Sequence, residues 1–168
     1  GRDGVLLAHL LAIYPGMCGV LFELPHAVGI AREWMVNAGL CGRCECVAGD
    51  FFDEIPGGAD VYLMKNVLHN WNDERCVRIL GNCRRVMSAD ARLVLVEWMK
   101  PPRCGVTAMD QAIARTDLNM LVGMGGRERS QAEFDALLRA AGFEAVQFHP
   151  TAMDFWVIEA KASPWPAR

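Results

Sequence analysis

An α/β fold is predicted for this chain of 168 residues, with a doubly wound, mostly parallel sheet finished by a C-terminal antiparallel hairpin. Two patterns carry that expectation. From residue 4 to residue 98, short apolar runs alternate with amphipathic segments of roughly 10 to 15 residues, the signature of β-α units in a parallel sheet. The end of the chain breaks the alternation with two β-prone runs, FEAVQFH and DFWVIEA, joined by a short polar turn.

In chain order, VLLAHLLAIY is apolar at helical spacing and is stopped by Pro15 and Gly16, which predicts a helix from Gly4 to Tyr14. GVLFEL, Gly19 to Leu24, is a short strand. Pro25 suits the first turn of the next helix, which carries Val28, Ile30, Ala31, Trp34 and Met35 before Gly39 closes it. A strand from Arg43 to Ala48 leads to Gly49-Asp50 and the loop FFDEIPGG. Ala59 to Lys65 reads as a buried parallel strand that breaks into the polar segment NVLHNWND. Asp73 is expected to cap a helix through Met87, with Val77, Leu80, Cys83 and Met87 inward and Arg75, Arg78, Arg84 and Arg85 in water. Leu93 to Trp98 is strongly β-prone. Ala108 to Val122 is an apolar segment ending in the turn GMGG, and Ser130 with Glu133 makes a capping box for a helix from Gln131 to Ala141, stopped by Gly142. Trp71 is expected to pack at the sheet edge, and the tail, residues 162–168, to be loose.

Composition narrows the class of ligand. A 52% hydrophobic content suffices for one core, and 20 acidic against 17 basic residues give a net charge of −3 with the positive charges scattered, so nucleic acid is not the expected partner. No apolar run approaches the roughly 18 to 20 residues of a membrane span. A soluble, cytoplasmic protein acting on a small molecule is the natural expectation. The seven cysteines are odd in number and unevenly spaced, which suits reduced thiols better than a disulfide framework. Cys41, Cys44 and Cys46 have no second ligand pair to complete a zinc site, so no metal is expected and Cys44 and Cys46 read as small apolar residues of a strand.

Ligands of open α/β sheets bind at the carboxyl ends of the strands. At the end of the strand leading to Lys65 the chain places His69, whose unperturbed pKa of about 6.5 suits it to take a proton near neutrality. Glu23 and Asp50 end the two preceding strands, where carboxylates can accept hydrogen bonds from a nucleoside's ribose or meet its base; ordinary helix capping is the other reading. A dinucleotide is disfavoured because GRDG is not G-x-G-x-x-G.

The collinear series YPGMCGVLFELPH, GRCECVAGDFF, ADVYLMKNVLHNWND, RLVLVEWM and GGRERSQAEFDALLRAAGF resembles the S-adenosylmethionine-dependent O-methyltransferases of small molecules, the plant caffeate/flavonoid type and its bacterial natural-product relatives. The resemblance covers nearly the whole chain. It implies a Rossmann-like class I methyltransferase sheet, with residues 1–161 as the S-adenosylmethionine-binding catalytic domain. Glu23, usually Asp in the family, would hold the ribose; Asp50 and Phe51 would contact adenine; Lys65 would lie along the cofactor. Gly1 and Gly4 match the glycine-rich cofactor loop, with Arg2 where a glycine is normal. His69 matches the general base, and Glu97 and Glu128 match the two carboxylates that flank it. Asn119 and Met120, with Asp117, fall in the segment that lines the acceptor pocket. The implied reaction is methylation of a phenolic or enolic hydroxyl on an aromatic or polyketide-like natural product.

Two departures stand out. Asn70 replaces the usual Asp, which implies looser local hydrogen bonding. The strand that normally precedes GRDG and the helical N-terminal domain that makes the family's homodimer are missing from the alignment, so the chain reads as the C-terminal part of a longer parent whose sheet lacks its first strand. Two other readings stand beside methyl transfer: a relative that keeps the cofactor but runs hydroxylation, decarboxylation or a pericyclic step, and a non-catalytic ligand-binding domain.

Overall fold

The computed structural model describes residues 4–101, 105–123 and 125–164. They form two compact units that divide at Pro56–Gly57. The first holds α1 (Val5–Ile13), β1 (Gly19–Glu23), α2 (Pro25–Asn37) and β2 (Cys44–Ala48). Its two strands pair in parallel, with Glu23 opposite Ala48. Leu7, Ala8 and Leu11 of α1 pack with Leu21, Ala31, Met35, Leu40 and Cys44, so each helix turns one apolar stripe to the strand pair. Gly4 opens α1 with φ +68°, a left-handed backbone that favours glycine, and stands close against the ends of the Met35 and Leu21 side chains. At the other end of α1 the Arg43 guanidinium donates to the carbonyls of Leu11 at 2.8 Å and Pro15 at 3.2 Å, satisfying acceptors that a helix end leaves free.

The second unit is a four-stranded sheet in the order β3 (Val61–Lys65), β4 (Arg92–Trp98), β6 (Phe155–Ala162), β5 (Phe143–Pro150). β3 and β4 are parallel; β4–β6 and β6–β5 are antiparallel. The expected terminal hairpin is therefore present, and the described strands fall into two sheets. α3 (Asp73–Val86), α4 (Ala108–Gly123) and α5 (Gln131–Ala140) complete the unit. Its core includes Leu68, Ile79, Leu80, Cys83, Leu93, Leu95, Phe134, Leu138, Phe143 and Ile158, all 2% exposed or less. Strand β4 alternates in burial, with Leu93, Leu95 and Glu97 on one fully buried face. A carboxylate in that row is the anomaly around which the site is built.

Several local expectations are corrected. Among the described residues β3 pairs only with β4, and Val61 and Leu63 are exposed, so the strand is not buried along its whole length. Asn72, not Asp73, caps α3: its Oδ1 accepts from Arg75 N at 3.0 Å, which frees the Asp73 carboxylate for other partners. Arg84 is not simply solvated, because its Nε donates to the Gly142 carbonyl at 3.3 Å and its NH2 group to that of Ser163. Trp71 is half-buried and carries the Arg75 guanidinium 5.1 Å from its ring centroid, which makes it part of a cation–π pair. The capping box on α5 is present as read, with Ser130 N donating to Glu133 Oε2 at 2.8 Å. Of the tail expected to be loose, Ala162 ends β6 and Ser163 N donates to Gly142 O at 2.9 Å; residues 165–168 lie outside the described residues.

Candidate functional site

Beyond Lys65, the β3 backbone makes one more sheet bond, Asn66 N to Val96 O at 3.0 Å, and then reverses through Asn66 at φ +53° into a 3₁₀ turn, Leu68–Asn70. Asparagine is among the few side chains that tolerate that backbone. The turn raises His69 above the sheet edge, with its side chain 16% exposed. The Asn70 amide donates to the carbonyls of Asn66 at 3.1 Å and Val67 at 3.3 Å. The expected loosening is therefore not found, because these are donor contacts that an Asp carboxylate cannot make.

Two carboxylates serve this turn in different ways. Glu97 accepts at Oε1 from Val67 N at 3.0 Å and Leu68 N at 2.9 Å, two donors that the turn would otherwise leave unpaired. Each buried donor left unpaired would cost about 1–3 kcal/mol. Glu128 Oε1 lies 3.1 Å from His69 Nδ1. Glu97 and Glu128 are 0% and 1% exposed, and the second oxygen of each is buried without a hydrogen-bond partner among the described residues. Burial pushes the Glu97 carboxyl up to about 7 against the pull of His69 and the two turn amides. For His69, burial alone would lower the pKa; the Glu128 hydrogen bond and the charges of Glu97 and Glu128 outweigh it, and the net direction is upward from 6.5. With Nδ1–H donated to Glu128, the neutral ring carries its lone pair on Nε2.

Glu128 is itself held from both sides. Its N–H donates to Asp117 Oδ1 at 2.9 Å, while Asp117 Oδ2 lies 3.6 Å from Lys100 Nζ. The 126–129 segment leans on the His69 turn: Arg127 N donates to His69 O at 2.9 Å, and Arg129 pairs with Met99 in a parallel bridge. Gly126 lies so close that a Cβ would run into the His69 carbonyl and stand 2.8 Å from that of Asn70. Arg129, 1% exposed, spreads its guanidinium over the same turn. It donates to Leu68 O at 2.9 Å, to Trp71 O at 2.7 Å, and through Nε and NH2 to Asp73 Oδ1 at 3.0 and 2.8 Å. Neither Arg129 nor Gly126 was singled out from the sequence. The available signal was a charged residue inside GGRERS, between a glycine turn and a capping box, where a solvated side chain is the default.

The second unit thus brings together His69, Glu97, Glu128 and Asp117. Lys65 ends β3 with its ammonium 4.8 Å from the Phe155 ring centroid. On α4, Asn119 is exposed and Met120 half-buried, its carbonyl accepting from Gly126 N at 3.1 Å. Within the first unit, Glu23 closes β1, and Asp50 follows β2 by two residues at the same edge of the strand pair. Asp50 Oδ1 accepts from Phe52 N at 2.8 Å, and Phe51, half-buried, meets Phe52 edge to face at 5.0 Å. Gly4 stands at the start of α1, and Gly1 and Arg2 lie outside the described residues.

A family model described as the O-methyltransferase domain matches residues 1–144. The mitomycin biosynthesis 6-O-methyltransferase of Streptomyces lavendulae is 41% identical over 150 residues, a match covering 89% of this chain and 42% of that enzyme. Among solved structures, mitomycin 7-O-methyltransferase superposes with a TM-score of 0.89 at 39% identity over 97% of this chain and 47% of its own. An O-methyltransferase of neocarzinostatin biosynthesis, solved with S-adenosylmethionine and 2-hydroxy-5-methyl naphthoic acid, gives 0.86 at 31% identity over 96% of this chain and 46% of its own. The chain spans less than half the length of these relatives.

Proposed function

The chain belongs to the O-methyltransferase domain family, and on that premise we propose that it transfers the methyl group of S-adenosylmethionine to a phenolic or enolic hydroxyl of a small aromatic or polyketide-like natural product. The observation that carries this reading is the imidazole of His69, held at 3.1 Å by a buried glutamate and raised above a sheet edge by a turn that a second buried glutamate braces. A phenol with a pKa near 10 is a poor nucleophile until its proton leaves, and a positioned base is worth about 10²- to 10⁴-fold. His69 Nε2 takes the acceptor's proton, Glu128 holds the ring's orientation and steadies the imidazolium that forms, and Glu97 keeps the turn in place.

The chemistry of the first unit's edge suits the cofactor. Glu23 presents a carboxylate for the ribose hydroxyls, and Asp50 with Phe51 offers a polar edge and an aromatic face for adenine. Lys65 and Gly4 keep the cofactor-side roles that the resemblance assigns, and Asn119 and Met120 those of the acceptor side. When bound, S-adenosylmethionine supplies a methyl group already activated on a sulfonium. Free thiols at Cys18, Cys41, Cys44, Cys46, Cys76 and Cys83 support placing the protein in the reducing cytoplasm, and we extend the family's homodimer to the longer parent. Among the described residues no helix is long and apolar enough to cross a membrane.

Calorimetric titration with S-adenosylmethionine, followed by transfer of a labelled methyl group to a panel of phenols, tests the proposal. Saturable binding with methyl ether formation is expected. Binding without transfer would return the reading to a non-methylating relative, and no binding to a non-catalytic domain.

A further inference from the structure

Arg129 lies in the second unit and, at 1% exposed, is as buried as the two glutamates, the other buried charged residues among those described there. Its bonds are directional. NH1 donates to the carbonyl of Leu68 and NH2 to that of Trp71, the residues on either side of the His69–Asn70 pair, while Nε and NH2 share Asp73 Oδ1 at the start of α3. Arg127 closes on the other oxygen of Asp73 at 2.6 Å. Leu68 O also accepts from Cys76 Sγ at 3.2 Å. Arg129 is covalently next to Glu128. One planar side chain therefore joins the 126–129 segment, which carries Glu128, to the turn that carries the imidazole.

We propose that Arg129 is a positioning residue that sets the His69–Glu128 contact by clamping the carbonyls of Leu68 and Trp71. The guanidinium is suited to this because its donors are fixed in a plane and remain charged at any working pH, whereas a lysine ammonium is a single point on a flexible stem. The imidazole of His69 meets Glu97 from β4, Glu128 from the 126–129 segment and the Asn66 carbonyl of its own turn; Arg129, Asp73 and Cys76 surround the turn itself through the carbonyls of Leu68 and Trp71. Of these, the Glu128 hydrogen bond is the largest influence raising the imidazole's pKa, so slackening the clamp lets the effect of burial prevail.

The inference rests on the reading of His69 as a base only for its effect on rate; the titration below requires no activity. Arg129→Lys keeps the charge and removes the fork. NMR titration of the His69 Cε1–H resonance is expected to give a midpoint above the ordinary histidine value in the wild type, and one lower by about 0.5 to 1 pH unit in Arg129→Lys. Amide spectra should show the fold retained, and the affinity for S-adenosylmethionine should stay within about twofold of wild type while turnover falls by about tenfold or more. A folded Arg129→Lys with an unchanged His69 midpoint overturns the proposal. So does a variant that does not fold, since Arg129 would then be a residue of general stability. If the wild type shows the raised midpoint and the variant the lowered one but neither transfers methyl, the clamp stands and the methyltransferase reading falls.

Discussion

As the proposed base, His69 would act through proton affinity, and the upward direction of its pKa has kinetic and thermodynamic consequences. A base must be neutral to accept a proton, so the acid limb of the kcat/KM profile is expected to bend above pH 6.5. His69→Gln should bind S-adenosylmethionine as wild type does and lose about 10²- to 10⁴-fold in kcat, while Glu23→Ala should lose binding first; calorimetry alongside single-turnover rates separates the two. Full turnover in His69→Gln would remove His69 as the base. Glu97 makes a stability prediction of its own. Its folded pKa of about 7 stands above the ordinary 4.5, so the contribution is complete below about pH 4.5 and is lost as pH rises through 7. The raised pKa of His69 acts with the same sign. Thermal stability should fall between pH 5 and pH 8 by on the order of 2 to 3 kcal/mol, and Glu97→Gln should flatten much of that slope in scanning calorimetry. An equally steep slope in the variant would mean that Glu97 does not hold a proton in the folded state.

Among the elements, the 3₁₀ turn Leu68–Asn70 and the 126–129 segment behave as one piece, because the backbones are in contact at Gly126. Gly126→Ala must push a methyl group into the His69 and Asn70 carbonyls, where no flexible side chain can yield. An overpacking cost of about 1–3 kcal/mol is expected, with a fall in turnover as the turn shifts. Gly81, inside α3, has open space around its Cβ position, and Gly81→Ala should raise stability by about 0.5–1 kcal/mol through helix propensity alone. Parallel urea titrations of the two variants check the contrast; equal effects would mean that the close approach at Gly126 carries no energetic weight. Helix α4 is placed differently. Ile113 is its buried residue, Leu118, Leu121 and Val122 are exposed, and Asp117 ties it to Glu128. Asp117, expected beside the acceptor, is found holding the backbone of the glutamate.

At the level of the molecule, all members of the His69 cluster lie in residues 57–164, which have their own sheet and core. A chain restricted to those residues should keep the far-UV dichroism of a mixed sheet, melt cooperatively and retain the raised His69 titration. A non-cooperative melt would show that the first unit is needed to fold the second. The family match and the order of elements agree at this scale: β-α alternation, an antiparallel finish and a carboxylate at each of two strand ends, read from residues and then met in space.

Local patterns settled by neighbours a few positions apart were legible in the chain: the α1 helix and its stop before Pro15, Pro25 at the start of α2, the Ser130–Glu133 capping box, the strand at β4; that α1 buries only Ala8 and Leu11 and leaves Val5, Leu6 and Ile13 exposed was not. Legible as well was the identity of His69, Glu97 and Glu128 as a chemical set, because their residue types and motif context survive without coordinates. What depends on contacts between distant residues was not legible. His69 and Glu128 are separated by 59 positions and Arg129 and Leu68 by 61, and no spacing rule reaches that far. By itself the sequence determined the fold class, the strand ends and the candidate base. Only the tertiary structure decided that Asn72 and not Asp73 caps α3 and that a buried arginine bonds the carbonyls of Leu68 and Trp71 on either side of His69 and Asn70, because burial and pairing are properties of the packed chain and not of any one segment.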